Sequence, residues 1–272
     1  MTDSSHCAVK ETLTRLKQFS MGKENNQTGV FVAFVLLSEC QWDKAKLIND
    51  CKADWGIELA DNDSDDAMVC TLGDITVAAA FMPAPVPNGE AEHYAAANYM
   101  WPEAVDAAKN HKAQIIVSVI GKEAGLIERG KLFTKIVASC LRQDGATAVY
   151  TDGAVFHPGF YNDVASLMKK YDDALPILDW VWFGVYRTAE HSGIYTYGMR
   201  KFGKEEMEVY ADNADLNDMR DFLLNITAYV LDGDVTLNDG ETLGFSAEQK
   251  LAITISDAIA LDGKSIKIEY PR

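Results

Sequence analysis

The chain has no long hydrophobic run. None of its apolar stretches approaches the roughly 20 residues that a helix needs to cross a bilayer. Its first residues, MTDSSHCAVKETLTRLKQFSMGKENNQTG, lack the apolar core of a secretory signal, so a cytoplasmic protein is expected. Cysteine is scarce: Cys7, Cys40, Cys51, Cys70 and Cys140 are five in 272 residues. An odd, scattered set in mostly apolar surroundings points to reduced, buried thiols and away from a disulfide framework. The chain contains no C-x-x-C, H-x-x-x-H or H-E-x-x-H, so the local spacing of a zinc site is missing and no metal is expected. It contains no G-x-S-x-G either. Positive charge is short, with 25 Lys and Arg against 41 Asp and Glu, a net of −16. Such a field repels nucleic acid and anionic membranes and suits solubility or a basic protein partner. Fixed-period repeats and low-complexity segments are also lacking.

What is there is globular: 48% apolar and 24% charged residues, in a length that makes one large domain or two small ones. Val9, Leu13, Leu16 and Phe19 recur at helical spacing, and a polar linker follows. Val30 to Leu37 reads as a buried strand, and Trp42 to Trp55 as an amphipathic helix stopped at Gly56. Met68–Leu72 and Ile75–Phe81 flank Gly73-Asp74 as a hairpin. Met82-Pro83-Ala84-Pro85-Val86-Pro87 is a stiff, extended exit from the sheet, because each proline lacks an N–H and pushes its predecessor toward extended angles. A helix is expected from Glu90, broken at Trp101 with Pro102 opening a second piece, and then a strand over Ile115–Ile120. This β-α-β-β-α-β order predicts a ferredoxin-like first part over 29–172, after an amino-terminal helix and linker over 1–28. Helices over Lys131–Leu141 and Phe160–Tyr171 and a short strand at Ala146–Tyr150 complete it. Past Asp172-Asp173 the pattern becomes an antiparallel meander (Trp180–Arg187, Gly193–Arg200, Glu205–Ala211), a helix from Leu216 to Val230 and two strands. The expectation is an α+β protein whose second part covers 173–272.

VLLSE at Val35–Glu39, MPAPVP at Met82–Pro87, WPEA at Trp101–Ala104, HKAQIIVSV at His111–Val119 and DGETLGFSAEQK at Asp239–Lys250 together resemble the bacterial family called domain of unknown function 4261. The resemblance runs from about Val30 to the carboxyl terminus and implies a bacterial, cytoplasmic protein. It brings no catalytic residues with it.

Four local patterns carry candidate chemistry. Gly125 to Lys131 matches G-x-x-x-x-G-K, but Leu132 stands where a magnesium-binding hydroxyl belongs and Glu128 puts a negative charge in the cradle, so nucleotide binding is not expected. Asp61 to Asp66 imitates the start of a calcium loop, yet has Asp66 where glycine is needed and Leu72 in place of the bidentate Glu. Cys40 lies between a strand end and a helix, where a thiol pKa can fall, though a packed thiol is expected. Glu90, Glu92 and His93 cluster after the proline turn, where folding brings His111, Tyr150 or His157 within reach of them, and are the candidate site. Trp180, Trp182 and Tyr186, with Tyr195 and Tyr197 on the neighbouring strand, form an aromatic ladder expected to be core beneath the Leu216–Val230 helix. With no complete catalytic motif and no cofactor expected, the favoured reading is a non-catalytic accessory protein that binds a protein partner, toxin neutralisation being one form. A small-molecule enzyme at Glu90, Glu92 and His93 is the alternative. Oligomeric state is not encoded in any of these patterns.

Overall fold

The computed structural model describes residues 28–61, 64–244 and 249–271. The expected helix over Val9–Phe19, Cys7 and part of the Asp61–Asp66 loop lie outside them.

The run FVAFVLL is apolar throughout and forms β1 (Phe31–Leu37), with a neighbour on each side. β2 (Ala67–Leu72) and β3 (Ile75–Met82) make the expected hairpin, Gly73 supplying a left-handed φ of 63° at the turn. With β4 (Ala113–Ile120), β5 (Ala146–Thr151) and β6 (Ala154–Phe156) they build one sheet in the order β2-β3-β4-β1-β5-β6, antiparallel at every pairing.

The elements follow one another as β-α-β-β-α-β, but their sheet is not the ferredoxin-like one. There a single strand separates the two parallel strands of each split βαβ unit. Here β4 pairs with both β3 and β1, so two strands separate β1 from β2, which run in opposite directions. The physical reason lies in β4. AQIIVSVI is buried at every position but its last, which requires a neighbour on each edge and cover on both faces.

α1 (Lys44–Trp55) is capped by the Asp43 carboxylate, which accepts from Lys46 N at 2.8 Å, and is stopped by Gly56 at φ 66°. It lies with α4 (Leu126–Cys140) on one face of the sheet, where Leu47, Cys51, Phe133, Ile136 and Val137 join Ala33, Val35, Ile115 and Val117 in the main core. The opposite face is covered by α2 (Glu90–Ala95) and α3 (Ala104–Asn110). Their alanines 91, 95, 104 and 108 bring the helices close to Leu36, Ala148 and Tyr150 in a second, smaller core. The chain between α2 and α3 turns where Asn98 Oδ1 accepts from Met100 N at 2.9 Å and Trp101 N at 3.0 Å. The helical stretch therefore ends at Ala95, ahead of the expected break at Trp101.

α5 (Pro158–Ala165), α6 (Leu167–Lys170) and α7 (Ile177–Trp180) lead to the second sheet. β7 (Trp182–Arg187), β8 (Ser192–Tyr197) and β9 (Met207–Ala211) are the expected meander, shortened where Trp180 ends α7 and so leaves the strand face. α8 (Leu216–Asp232) follows, its Asp215 cap accepting from Asn217 N and Asp218 N. The remaining strands, β10 (Thr242–Leu243), β11 (Leu251–Asp257) and β12 (Lys264–Glu269), complete the order β10-β11-β12-β9-β8-β7. β12 runs parallel to β9, a pairing that needs a crossover, and α8 makes part of it. The architecture is thus α+β with two six-stranded sheets. The main core cluster is continuous through both.

Candidate functional site

The register of the second sheet sorts its side chains sharply. Val185, Ile194, Val209, Ile268 and Ile253 stand opposite one another across five strands, an apolar row. It shares the core with Met219, Leu223, Ile226 and Val230 of α8. One residue along, the row reads Gly184, Tyr195, Glu208, Lys267, Thr254, and on either side of it stand Tyr186–Gly193–Tyr210–Glu269 and Trp182–Tyr197. A period of two sends these to the other face. The ladder residues Trp182, Tyr186, Tyr195 and Tyr197 are therefore not the layer beneath α8, as the sequence suggested, but stand on the opposite face; Trp182 there, and Trp180 at the end of α7, are nonetheless buried in the main core, as expected. The tyrosines fit because glycine stands across from them. The Tyr195 ring occupies the space of a side chain on Gly184, and the Tyr186 ring does so at Gly193.

This face forms one wall of a cleft of about 1140 Å³. Trp182, Tyr195 and Tyr197 line it. α2 and the residues after it supply the facing wall with His93, Tyr94, Ala96 and Ala97. Two loops close the ends: the turn carrying Arg200 and Lys204, and the loop Ile259–Gly263. Each loop is tied down by a buried carboxylate. Glu206 accepts from Thr196 Oγ1 at 2.8 Å and from Gly198 N and Met199 N, each at 2.9 Å. Burial pushes its pKa up to about 7, against these same hydrogen bonds, which lower it. Glu208 accepts from Ile259 N at 2.9 Å, Ala260 N at 2.8 Å and Ser265 Oγ at 2.9 Å, and pairs with Lys267 at 3.2 Å. Gly198, at φ 122°, backs directly onto the Trp180 carbonyl, a position no other residue fits.

The sequence-derived candidates are brought partly together. Glu90 accepts a 2.6 Å hydrogen bond from Tyr150, whose phenol is raised first by burial and then by that carboxylate. Tyr150 is stacked between Phe34 and Tyr94 at 5.6 and 5.5 Å. His93 is exposed on the cleft wall, edge-on to Tyr94 at 5.2 Å. Glu92 Oε2 is buried without a hydrogen-bond partner. His111 does not reach them. Its Nε2 accepts from Val86 N at 2.8 Å, which leaves Nδ1 to donate to the Ala108 carbonyl, so the imidazole pins the proline turn to α3. His157 caps α5 by accepting from Gly159 N and stands edge-on to Trp101 at 5.1 Å.

The other patterns have structural roles. Leu126 to Lys131 is the first part of α4, with Gly125 as its cap, so the glycine-lysine pattern forms no loop. Gly130 allows close packing instead: a Cβ there would lie 3.0 Å from Phe202 and 3.1 Å from Trp180. Lys131 bonds the Asp172 carbonyl. Asp61 pairs with Lys44 at 2.6 Å. Cys40 is exposed, its thiol 3.6 Å from the Lys112 carbonyl, contrary to the packed thiol expected. Cys51, Cys70 and Cys140 are buried free thiols, and burial pushes Cys51 up to about 11. Among the described residues no group of three or more His, Cys, Asp or Glu is placed to hold a metal, and no helix is long and apolar enough to cross a membrane.

Glu206, just before β9, and Glu208 within it were missed at the sequence level. Glu206 and Glu208 alternate with Met207 and Val209, which reads as an ordinary half-exposed strand; only the loops folded over that face bury them. No curated protein and no solved structure gives a match. Of the five segments that carry the sequence resemblance, only Asp239–Lys250 lies in the region that a family model covers. That region, residues 195–269, takes in β9, both anchoring carboxylates and the last strands, and it matches the family described as Domain of unknown function (DUF4261).

Proposed function

We propose that the protein is a non-catalytic cytoplasmic accessory protein that captures a basic protein partner in the aromatic cleft, neutralisation of a toxin being one such role. The observation that supports this reading is how the polar groups of the cleft are used. Glu206 and Glu208 are spent on loop backbone and Glu90 on Tyr150, so these acids in and around the cleft are anchors, while the other acids lining it, Glu205 and Asp262, are exposed. The cleft presents to a visitor Trp182, Tyr195 and Tyr197 beside the charged Arg200, Lys204, Glu205 and Asp262, and exposed apolar surface continues outside it at Tyr99 and Met100, which are 46% and 45% exposed. Tyr99 is held for contact: its ring lies 5.3 Å from Trp182 and its hydroxyl donates to the Phe183 carbonyl at 2.9 Å. Rigid, amphipathic aromatics of this kind are the side chains that carry binding energy at protein interfaces, and the net charge of −16 selects a basic partner. The engagement of Glu90 by Tyr150 argues against that carboxylate as the free base of an enzyme working at Glu90, Glu92 and His93.

The test places a photo-crosslinking amino acid at Tyr99, at Tyr195 and, as a control, at Tyr229, which is 53% exposed on α8. Irradiation in lysate of the native cells is expected to give one protein adduct at the first two positions, of a basic protein, and none at Tyr229. Equal labelling at all three, or no protein adduct at Tyr99 and Tyr195, overturns the reading.

A further inference from the structure

The described chain begins in the wall of this cleft. Thr28 is one of its lining residues, and its hydroxyl donates to the Arg200 carbonyl at 3.2 Å. Gly29 N donates to the Lys201 carbonyl at 2.8 Å, and Arg129 holds the Gly29 carbonyl at 3.3 Å. These bonds fix where the preceding 27 residues set out.

We propose that the amino-terminal segment, residues 1–27, seats the apolar stripe Val9, Leu13, Leu16 and Phe19 in the cleft and occupies it in place of a partner. Three observations point to this occupant. The first is reach. Phe19 is nine residues from Thr28, a span of up to about 30 Å when extended, and the stretch from Val9 to Phe19 would span about 15 Å as a helix, so the chain is long enough for the stripe to reach back over the cleft. The second is fit. The cleft exceeds the roughly 300–1,000 Å³ of small-ligand sites and offers Tyr94, Trp182, Tyr195, Ile259 and Leu261 to apolar side chains. Ile259 is 43% exposed and gains most from cover. The third is charge. Residues 1–27 carry Lys10, Arg15, Lys17 and Lys23 against Asp3, Glu11 and Glu24, a net of +1, so the other 245 residues carry −17. The segment is weakly positive and tethered to an acidic body, so charge does not oppose its return. The inference bears on the same cleft, but its test uses no partner, so the two readings stand or fall separately.

The experiment uses the full chain with a photo-crosslinking residue in place of Leu16. Intramolecular links are expected to peptides containing residues 93–97, 195–204 or 259–263. Links confined to other regions, links joining two copies, or no links overturn the proposal. A second measurement compares hydrogen exchange of the full chain with the double variant Leu13→Asp, Leu16→Asp, its fold checked by thermal melting. Amides of residues 195–204 and 258–263 are expected to exchange about fivefold faster or more in the variant, as local opening no longer costs the docked contacts. Unchanged exchange at both loops overturns docking.

Discussion

At the scale of single residues, the molecule treats its buried acids in two ways. Glu206 and Glu208 are each surrounded by donors and act as clamps. Asp179, 1% exposed, has neither oxygen bonded. Burial raises its pKa well above the usual range; Lys201 opposes this, but Lys201 is itself paired with Asp152. Tyr161, also fully buried, is raised by burial and by the Asp179 charge. The sign of the linkage follows. An acid whose folded pKa is raised contributes stability that is fully present below the unfolded value near 3.8 and is lost as pH rises through the folded value. Asp179→Asn keeps the shape and removes this loss. The variant is expected to melt at a higher temperature than the parent at pH 7.5, with a gap that shrinks toward pH 4.5, by up to about 1.4 kcal/mol per pH unit across the titration window. A gap that is constant with pH, or a variant that is less stable throughout, would count against an unpaired acid.

At the scale of elements, the proline exit is held by a side chain twenty-five positions away. Among the described residues Val86 N has no partner but His111, and both are buried. His111→Ala leaves that N–H unsatisfied and is expected to cost about 1–3 kcal/mol in urea unfolding. Trp101 is only half-buried against His157, so Trp101→Ala is expected to cost about 2 kcal/mol, below the roughly 3–5 of a fully buried aromatic. His93→Ala, on the exposed cleft wall, should stay within about 0.5 kcal/mol. If His93→Ala proved as costly as His111→Ala, the division between a structural and a solvent-facing imidazole would be wrong. Most of the strands, though not β6 or β10, and the helices α1 and α8 were legible in the sequence because hydrophobic period and capping Asp and Gly act over a few residues. The break after Ala95 was not, because Asn98 competes with Pro102 as the terminator, and its side chain also holds the Val155 carbonyl, a contact 57 positions away.

At the scale of the whole molecule, the two sheets are joined by aromatic contacts. Phe156 meets Trp182 at 6.1 Å, Phe202 meets Phe31 at 5.5 Å and Trp180 at 4.8 Å, and Tyr197 lies so close to Gly153 that a Cβ there would be 2.8 Å away. With one core running through both, residues 29–172 and 173–271 are expected to unfold together. Calorimetry should give a single transition whose van't Hoff and calorimetric enthalpies agree; two resolved transitions would show that the halves fold independently.

The sequence by itself determined the α+β class, the hairpin at Gly73-Asp74, the meander, the long helix after Asp215 and the net negative charge, since each depends on residue type and near-neighbour spacing. The tertiary structure alone decided that β4 lies between β3 and β1, that β12 joins β9 in parallel, and which face of the second sheet meets α8. Alternation marks two faces but does not say which one a helix will cover. That choice put Trp182, Tyr195 and Tyr197 on a cleft wall and made Glu206 and Glu208 the anchors of its loops, because strand order and loop closure depend on contacts between residues far apart in the chain.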